Sequence, residues 1–208
     1  MKTKIPVPTV ERLTILCTIL DKLENDGVTN VSSSELGKMT GVQPNTIRKD
    51  INFIGQPGAE AGYSVKLLKS TIELGLGLQL HRKACIVGLG DLGATILNFS
   101  GFLGSNIKIE AGFDSSINRL ETFRTDIPLF PAYRIEEIVK NMQIEIGVLT
   151  VSPSAAQAVT EKLIQGGIKG ILNFTPVVIK TNNTNIAVRN IHMLEEFRIL
   201  SALISHET

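Results

Sequence analysis

The sequence predicts an α/β protein of two domains, a winged-helix (helix-turn-helix) domain in residues 1–80 and a doubly wound parallel sheet in residues 81–208. Two observations support this division. Apolar residues recur with helical spacing in the first part, whereas strand-like and helical segments alternate in the second. With 208 residues, of which 43% are hydrophobic, the chain can bury a core in each part.

The first predicted helix begins near Thr9, and Asp26-Gly27 supplies its stop signal. Its apolar positions recur with a helical period at Val10, Leu13, Leu16, Ile19, Leu20 and Leu23. Cys17 belongs to the same apolar face. The pattern predicts an amphipathic helix with one buried face.

Two shorter helices follow. Ser32 and Glu35 match a capping box, in which the two side chains satisfy free backbone donors at a helix start, and Gly41 ends this helix. Pro44 opens the next helix, and its buried positions are Ile47, Ile51 and Ile54. The short glycine-containing turn between the two helices predicts a helix-turn-helix.

The second helix of a helix-turn-helix enters the major groove of DNA with its N-terminal residues on base edges. The polar residues at this position are Asn45, Thr46, Arg48 and Lys49. Their side chains can bind phosphates and read guanine or adenine. The start of the preceding helix is capped by Ser32, Ser33 and Ser34. A phosphate contact is an additional expected role of these serines. The alternative is a solvated helix face in a protein-interaction module.

A turn-rich segment, residues 56–63, leads into Tyr63-Ser64-Val65 and predicts a β-hairpin, or wing. Its tip contains Glu60 and no Lys or Arg, so we expect weak contact with the phosphate backbone. Residues 65–80 then predict a connecting helix, loosened by Gly75 and Gly77.

The glycine turn Gly88-Leu89-Gly90-Asp91-Leu92-Gly93 follows the apolar run of residues 84–87 and precedes a helix pattern. In this context the first glycine allows a tight turn, the second lets the backbone approach a pyrophosphate, and the third allows close packing. A second strand pattern ends at Asp114, where an acid binds ribose hydroxyls. These features predict a Rossmann domain that binds NAD(H). The alternative is a turn that uses glycine only for its geometry.

Beyond Asp114 the chain alternates between strand and helix patterns. Predicted strands cover residues 128–130, 144–151, 170–174 and 186–190, and predicted helices cover residues 134–141 and 154–166. Alternation at these lengths predicts a parallel sheet. The strand ends at Gly88, Asp114, Thr150 and Phe174 then border the ligand crevice. A last helix, residues 193–206, has an apolar face that covers its own sheet or reaches a partner.

Charge, cysteine content and missing motifs limit the kinds of function that this sequence predicts. The formal net charge is +1, with nine basic against eight acidic residues up to Leu80. Nucleic acid would therefore be bound by a few placed cations or by a dimer. The two cysteines, Cys17 and Cys85, lie in apolar segments and predict buried thiols in a cytoplasmic protein. We find no signal peptide, membrane span, metal-ligand spacing, nucleophile elbow or P-loop.

The sequence resembles the Rex family of redox-sensing transcriptional repressors along nearly its whole length. The matching segments are Ile5-Pro6, Arg12-Leu13, Ser32 to Leu36, Ile47 to Asp50, Gly62-Tyr63, Gly88 to Gly93, Phe113-Asp114, Thr150-Val151, Ala155 to Gln157 and Gly170 to Phe174. The resemblance implies a homodimer that binds a palindromic double-stranded DNA operator and exchanges its last helix between subunits. It also implies that NADH binding releases the operator, whereas NAD+ competes without doing so.

The resemblance assigns residue roles as well. It adds Arg12 to the DNA-binding residues, and it adds Ser115, Thr150, Val151, Ser152 and Phe174 to the glycine turn and Asp114 as cofactor-binding residues. The family typically has Tyr at Phe99 and Asp at His192, and these two side chains form a hydrogen bond that reports the nucleotide state. Phenylalanine has no hydroxyl, so this bond cannot form here. Ser152 also replaces a usual proline, and the wing lacks its usual basic residues.

Three alternatives remain at this point. The first is a small NAD-dependent oxidoreductase with a fused helical module, against which its histidines, His81, His192 and His206, argue because they form no recognisable acid/base pair. The second is a Rex-like DNA-binding protein that has lost or altered its NADH response. A third possibility is a coenzyme A ligand, against which Asp114 argues because a carboxylate repels a ribose phosphate.

Overall fold

The computed structural model describes residues 5–55, 62–98 and 106–206. The chain divides into two compact units, residues 1–80 and 81–208. No helix in the described ranges is long and apolar enough to cross a membrane.

In its described residues, the N-terminal unit contains four helices and a two-stranded antiparallel sheet. The helices are α1 (Val7–Asn25), α2 (Ser33–Thr40), α3 (Pro44–Phe53) and α4 (Val65–Leu76), and the strands are β1 (Asn30–Val31) and β2 (Tyr63–Ser64). One cluster of buried side chains joins all four helices. It includes Leu16 of α1, Leu36 of α2, Ile51 of α3 and Ile72 of α4. The apolar periodicity of the sequence accounts for this core.

Local sequence signals fix the ends of these helices. The Ser32 side chain accepts the backbone N–H of Glu35, and Glu35 accepts the N–H of Ser32 at 2.8 Å, which completes the capping box. Gly41 ends α2 in the left-handed region, with φ of 70°. Pro44 occupies the first position of α3, where no hydrogen bond from its nitrogen is needed.

Two sequence expectations for this unit need correction. The connecting helix ends at Leu76 rather than at residue 80, because Gly77 adopts the left-handed conformation. Tyr63-Ser64 pairs with Asn30-Val31, which showed no clear strand pattern, and Val65 already begins α4. Residues 56–61, where the sequence predicts the wing tip, lie outside the described residues.

The part of the C-terminal unit that the structure describes contains six parallel strands. They are β3 (Arg82–Val87), β4 (Ile107–Asp114), β5 (Leu129–Pro131), β6 (Ile146–Leu149), β7 (Gly170–Asn173) and β8 (Ala187–Asn190). Their order across the sheet is β5-β4-β3-β6-β7-β8. The chain thus winds outward from β3 to β5 and then crosses to β6 on the other side. This doubly wound order opens a crevice between the carboxyl ends of β3 and β6.

Helices flank both faces of this sheet. They are α5 (Asp91–Asn98), α6 (Ile117–Thr122), α7 (Ile135–Met142) and α8 (Pro153–Gln165), and a last helix, α9 (Met193–His206), follows β8. Side chains of β3 alternate between two cores: Cys85 and Val87 pack with α7 and α8, whereas Ile86 packs with α5. The short α6 showed no clear pattern in the sequence. Helix α9 has no buried residue along its length of 14 residues.

Candidate functional site

The exposed face of α3 presents the residues that the sequence predicts to bind DNA. Asn45, Arg48 and Lys49 are exposed, and Thr46 is partly exposed. The guanidinium of Arg48 donates to the Ser33 hydroxyl at 2.7 Å and also to the Asn45 side chain. These two bonds hold Arg48 at the junction of α2 and α3 and leave further N–H donors for an external acceptor.

Arg12, which the family resemblance places at the DNA, has a structural role in this unit. Its guanidinium binds both carboxylate oxygens of Asp50, at 2.6 and 2.9 Å, and Asp50 is buried. The Thr9 hydroxyl donates to the same carboxylate at 2.9 Å. The three side chains tie α1 to α3, so Arg12 helps to fix the position of α3. A contact between Arg12 and DNA stays a prediction.

The three serines at the start of α2 have different environments. Ser33 is buried and accepts from Arg48, whereas Ser34 is exposed and Ser32 caps the helix. Capping is confirmed for Ser32. Any phosphate contact by these serines stays a prediction.

The glycine turn follows β3 and contacts the end of β6. Gly88 has φ of 99°, a conformation that disfavours any side chain. A Cβ at Gly93 would lie 1.9 Å from the Gly88 carbonyl oxygen, so only glycine allows α5 to start this close to the turn. The Thr150 hydroxyl donates to that carbonyl at 2.7 Å. A Cβ at Gly90, in contrast, would meet no atom within 4 Å, which leaves its backbone open to a ligand.

A cleft of about 350 Å³ lies between these segments. It is lined by Val87, Gly88, Gly90, Asp114, Ser115, Arg119, Ala132, Thr150, Val151, Ser152, Ala155 and Val159. Seven of the residues that we predicted to bind a cofactor therefore lie together at the carboxyl ends of β3, β4 and β6. The backbone donors at the start of α5 and the polar edge of the cleft suit a phosphate-containing ligand.

Asp114 is the buried acid of this cleft, with a side chain only 3% exposed. Its carboxylate accepts the N–H groups of Leu89 at 2.7 Å and Ser116 at 2.8 Å, and it pairs with the Arg119 guanidinium at 3.0 Å. Burial alone would raise the pKa of Asp114, but these two N–H groups and Arg119 together lower it below its usual value. The acid is thus ionised and holds the glycine turn against β4.

The remaining predicted cofactor residues do not line this cleft. Leu89 is buried in the core on the α5 face, and Phe174 packs against the same core. Asp91 and Leu92 lie in the first turn of α5, and Gly93 serves close packing. Arg119, which also lines the cleft, was not among the residues predicted from the sequence. The signal was available, because an arginine five residues after the strand-end acid lies in the next helical turn.

Of the two predicted switch positions, Phe99 and His192, the structure describes His192 alone. Phe99 lies outside the described residues. The His192 side chain is 15% exposed, with Nδ1 3.0 Å from a Glu195 carboxylate oxygen. Its Nε2 atom is buried and has no hydrogen-bond partner in the described part of the chain. His192 therefore lies just before α9 with one polar atom unsatisfied.

Known proteins match this chain along nearly its whole length. A family of putative DNA-binding protein N-termini matches residues 4–52, and a CoA binding domain family matches residues 80–177. The redox-sensing transcriptional repressor Rex of Ligilactobacillus salivarius is 36% identical over 99% of this chain and 96% of its own length. The chain belongs to the Rex family of redox-sensing transcriptional repressors. The Rex protein of Desulfitobacterium hafniense is 32% identical over 97% of this chain and 96% of its own.

Solved Rex structures share the fold. RSP, a Rex-family repressor, superposes with a TM-score of 0.88 at 28% identity, covering 99% of this chain and 96% of its own. RSP has also been solved with β-NAD+ and operator DNA, and that structure superposes with a TM-score of 0.89 at 29% identity, covering 99% and 94%. The predicted fold class, an N-terminal DNA-binding domain followed by a Rossmann sheet, is confirmed for this Rex-family chain.

Proposed function

We propose that this protein is a transcriptional repressor that binds DNA through α3 and senses the NADH/NAD+ redox state through its Rossmann domain. Family membership over the full chain supports both halves of this proposal. Further support comes from RSP, which was solved with β-NADH and, separately, with β-NAD+ and operator DNA. The observation on which the proposal depends most is the cleft at Gly88 and Thr150, because it lies where doubly wound sheets bind nucleotides.

The chemistry of the cleft supports a sensor more than an enzyme. A dehydrogenase needs a group that transfers a proton beside the nicotinamide. Among the described lining residues the ionisable side chains are Asp114 and Arg119, and these two are paired with each other. The Asp114 carboxylate is buried and already accepts hydrogen bonds from two backbone N–H groups and from Arg119. We therefore propose that the dinucleotide acts as a signal and that the protein has no catalytic role.

The two cysteines support a dinucleotide signal over a thiol signal. Burial raises the pKa of Cys17 to about 11 and that of Cys85 to about 12. The thiolate is the form that oxidants attack, so both thiols are unreactive in the folded protein. A redox response is then better explained by the NADH/NAD+ pair. A repressor of this kind would act in the cytoplasm, where the dinucleotide pool and the DNA are both present.

Helix α9 supports a homodimer with an exchanged C-terminal helix. Seven large apolar side chains on this helix are more than half exposed: Met193, Leu194, Phe197, Ile199, Leu200, Leu203 and Ile204. An apolar surface of this size on one helix is typical of an interface. A two-fold dimer would present two copies of α3 to a palindromic operator.

Substitution of the recognition helix tests the DNA half of the proposal. The probe is a palindromic duplex that the wild-type protein selects from a random-sequence pool. We expect Arg48→Ala with Lys49→Ala to weaken binding at least a hundredfold at fixed salt, because each cation lost from a base or phosphate contact costs about 1–3 kcal/mol. Lys49→Ala alone should weaken it at least fivefold.

The control variant is Lys22→Ala, which removes an exposed cation from the last turn of α1. It should bind the probe as the wild type does, and circular dichroism should show that every variant is folded. Equal binding by the double variant and the control would refute the assignment of α3 as the recognition helix.

A further inference from the structure

Ser33, the first residue of α2, contacts the arginine of α3 that the proposed function assigns to DNA. Its hydroxyl accepts a hydrogen bond from Nη1 of Arg48 at 2.7 Å. Ser33 is 8% exposed, whereas Arg48 is exposed. A buried side chain at the start of one helix therefore holds an exposed guanidinium on the next helix.

The Arg48 guanidinium has a second neutral partner. Its Nη2 atom donates to Oδ1 of Asn45, which lies one turn earlier in α3. Each terminal nitrogen of the guanidinium is thus held by one acceptor. A guanidinium has five N–H donors, so these two bonds leave three donors for a ligand.

The charge of Arg48 is not compensated by a neighbour, in contrast to that of Arg12. Arg12 is paired with the buried carboxylate of Asp50. The partners of Arg48 in the described residues are a hydroxyl and an amide, and neither carries a charge. A cation that the protein orients but does not neutralise is suited to an acceptor on DNA.

The orientation of an arginine decides whether it discriminates between bases. A phosphate carries no sequence information, whereas guanine presents O6 and N7 side by side to the planar fork of an arginine. A mobile arginine loses rotamer freedom when it forms this pair, and a fork that is already held loses less. The bonds from Arg48 to Ser33 and Asn45 supply this preorganisation.

We propose that Ser33 is a positioning residue for base readout, and that its hydroxyl holds the Arg48 guanidinium in the orientation that binds O6 and N7 of a guanine in the major groove. This inference rests on the proposed binding of DNA through α3. Ser33 then affects sequence discrimination through Arg48 and not through a contact of its own. Loss of its hydroxyl should therefore affect one base pair in each half-site, whereas loss of a phosphate contact would weaken binding to every sequence alike.

Binding of the full-length protein to variants of one duplex tests the inference. The probe is the palindromic duplex that the wild-type protein selects from a random-sequence pool, and each base pair is changed in turn in both half-sites. Fluorescence anisotropy gives, for each pair, the ratio of the affinities for the selected and the changed duplex. We expect Arg48→Ala to lower this ratio at one G·C pair from about tenfold or more to about twofold or less. We expect Ser33→Ala to lower the ratio at the same pair by about threefold or more and to leave the other ratios unchanged.

A double variant shows whether Ser33 acts through Arg48. In the Arg48→Ala background, Ser33→Ala should change no ratio, because the group that it positions is gone. The slope of log affinity against log salt concentration should be the same for Ser33→Ala and the wild type, because no phosphate contact is lost. Ser33→Cys, which fills the site with a weaker acceptor, should lower the same ratio in the same direction.

The control variant is Thr18→Ala, which removes an exposed hydroxyl of α1 that bonds to the backbone of its own helix. It should change neither the ratios nor the salt slope. The affinity of each variant for a duplex of unrelated sequence, together with circular dichroism, reports that the domain is folded.

The outcomes separate this inference from the proposed function. A loss in Ser33→Ala that is equal for all duplexes, with a smaller salt slope, overturns the inference and assigns Ser33 to a phosphate. Unchanged ratios in Ser33→Ala overturn it as well, as does an equal effect of Ser33→Ala with and without Arg48. An effect of Arg48→Ala at a pair other than G·C overturns the guanine assignment. Unchanged binding and unchanged ratios in Arg48→Ala overturn the proposed role of Arg48 in DNA binding itself.

Discussion

The carboxylate of Asp114 accepts the backbone N–H of Leu89 at 2.7 Å, which fastens the glycine turn to the end of β4. The bond lies in the buried part of the cleft. Its effect is to hold the turn in the shape that a pyrophosphate requires. Asp114 therefore acts first as a positioning residue for the turn.

The first prediction concerns the stability that Asp114 provides. Because its pKa is lower in the folded state, its contribution is complete above the unfolded pKa of about 3.9 and is lost as the pH falls through the folded value. At pH 7 we expect Asp114→Asn to lower the free energy of unfolding by about 1–3 kcal/mol. The gap between the wild type and the variant should narrow below pH 4, as measured by urea denaturation.

The exposed acid Asp126 supplies the control for this experiment. Asp126→Asn should leave the free energy of unfolding at pH 7 within about 0.5 kcal/mol of the wild-type value, as is usual for a surface substitution. A gap for Asp114→Asn that stays constant from pH 7 to pH 3 would contradict the role of its charge.

The second prediction contrasts two glycines of the same turn. Gly93→Ala places a Cβ 1.9 Å from the Gly88 carbonyl oxygen, so the turn and α5 must separate. We expect a loss of more than about 3 kcal/mol in the free energy of unfolding. Gly90→Val places its Cβ in open space, so stability should change little while the side chain fills the pyrophosphate position. Thermal denaturation measures the first effect, and calorimetric titration with NADH measures the second.

Each glycine variant serves as the control for the other. Full NADH affinity in Gly90→Val would place the dinucleotide elsewhere. A thermal midpoint of Gly93→Ala equal to that of the wild type would show that α5 packs less closely on the turn than the structure indicates.

The third prediction concerns α9 and the dimer. Phe197 and Leu203 are 70% and 59% exposed, so replacing both with Asp costs the single chain little. Each large apolar side chain buried at an interface contributes about 1.5–3 kcal/mol, and a two-fold dimer loses every contact twice. We expect a folded monomer by analytical ultracentrifugation. Val178→Asp, at a residue 67% exposed outside α9, should leave the dimer intact, and a dimer formed by the α9 variant would contradict the proposed interface.

Much of the fold follows from local signals that a single sequence contains. The capping box of Ser32 and Glu35, the proline start at Pro44 and the glycines at 88 and 93 each determine a local geometry that the structure reproduces. The alternation of strand and helix patterns predicts the parallel sheet for the same reason. Such features depend on residues close together in the chain.

The features that the sequence argument missed depend on residues far apart in the chain. The bond between Arg12 and Asp50 joins residues 38 positions apart, and nothing local shows that this cation is already paired. The pairing of β1 with β2 likewise joins short segments with few apolar residues. The inward orientation of Asp114 depends on Leu89, 25 positions away. Sequence spacing placed Asp114 correctly at the end of β4. It did not show that the carboxylate is buried and bonded to the glycine turn.

Titration of the protein–operator complex with NADH and NAD+ in separate arms tests whether DNA binding by this protein depends on the redox state of the dinucleotide. The complex of wild-type protein and its selected palindromic duplex is followed by gel shift or fluorescence anisotropy. We expect saturating NADH to weaken DNA binding at least tenfold and NAD+ to leave it nearly unchanged. Equal DNA affinity in saturating NADH and in saturating NAD+, with both ligands shown to bind by calorimetry, would contradict the claim that this protein senses redox state.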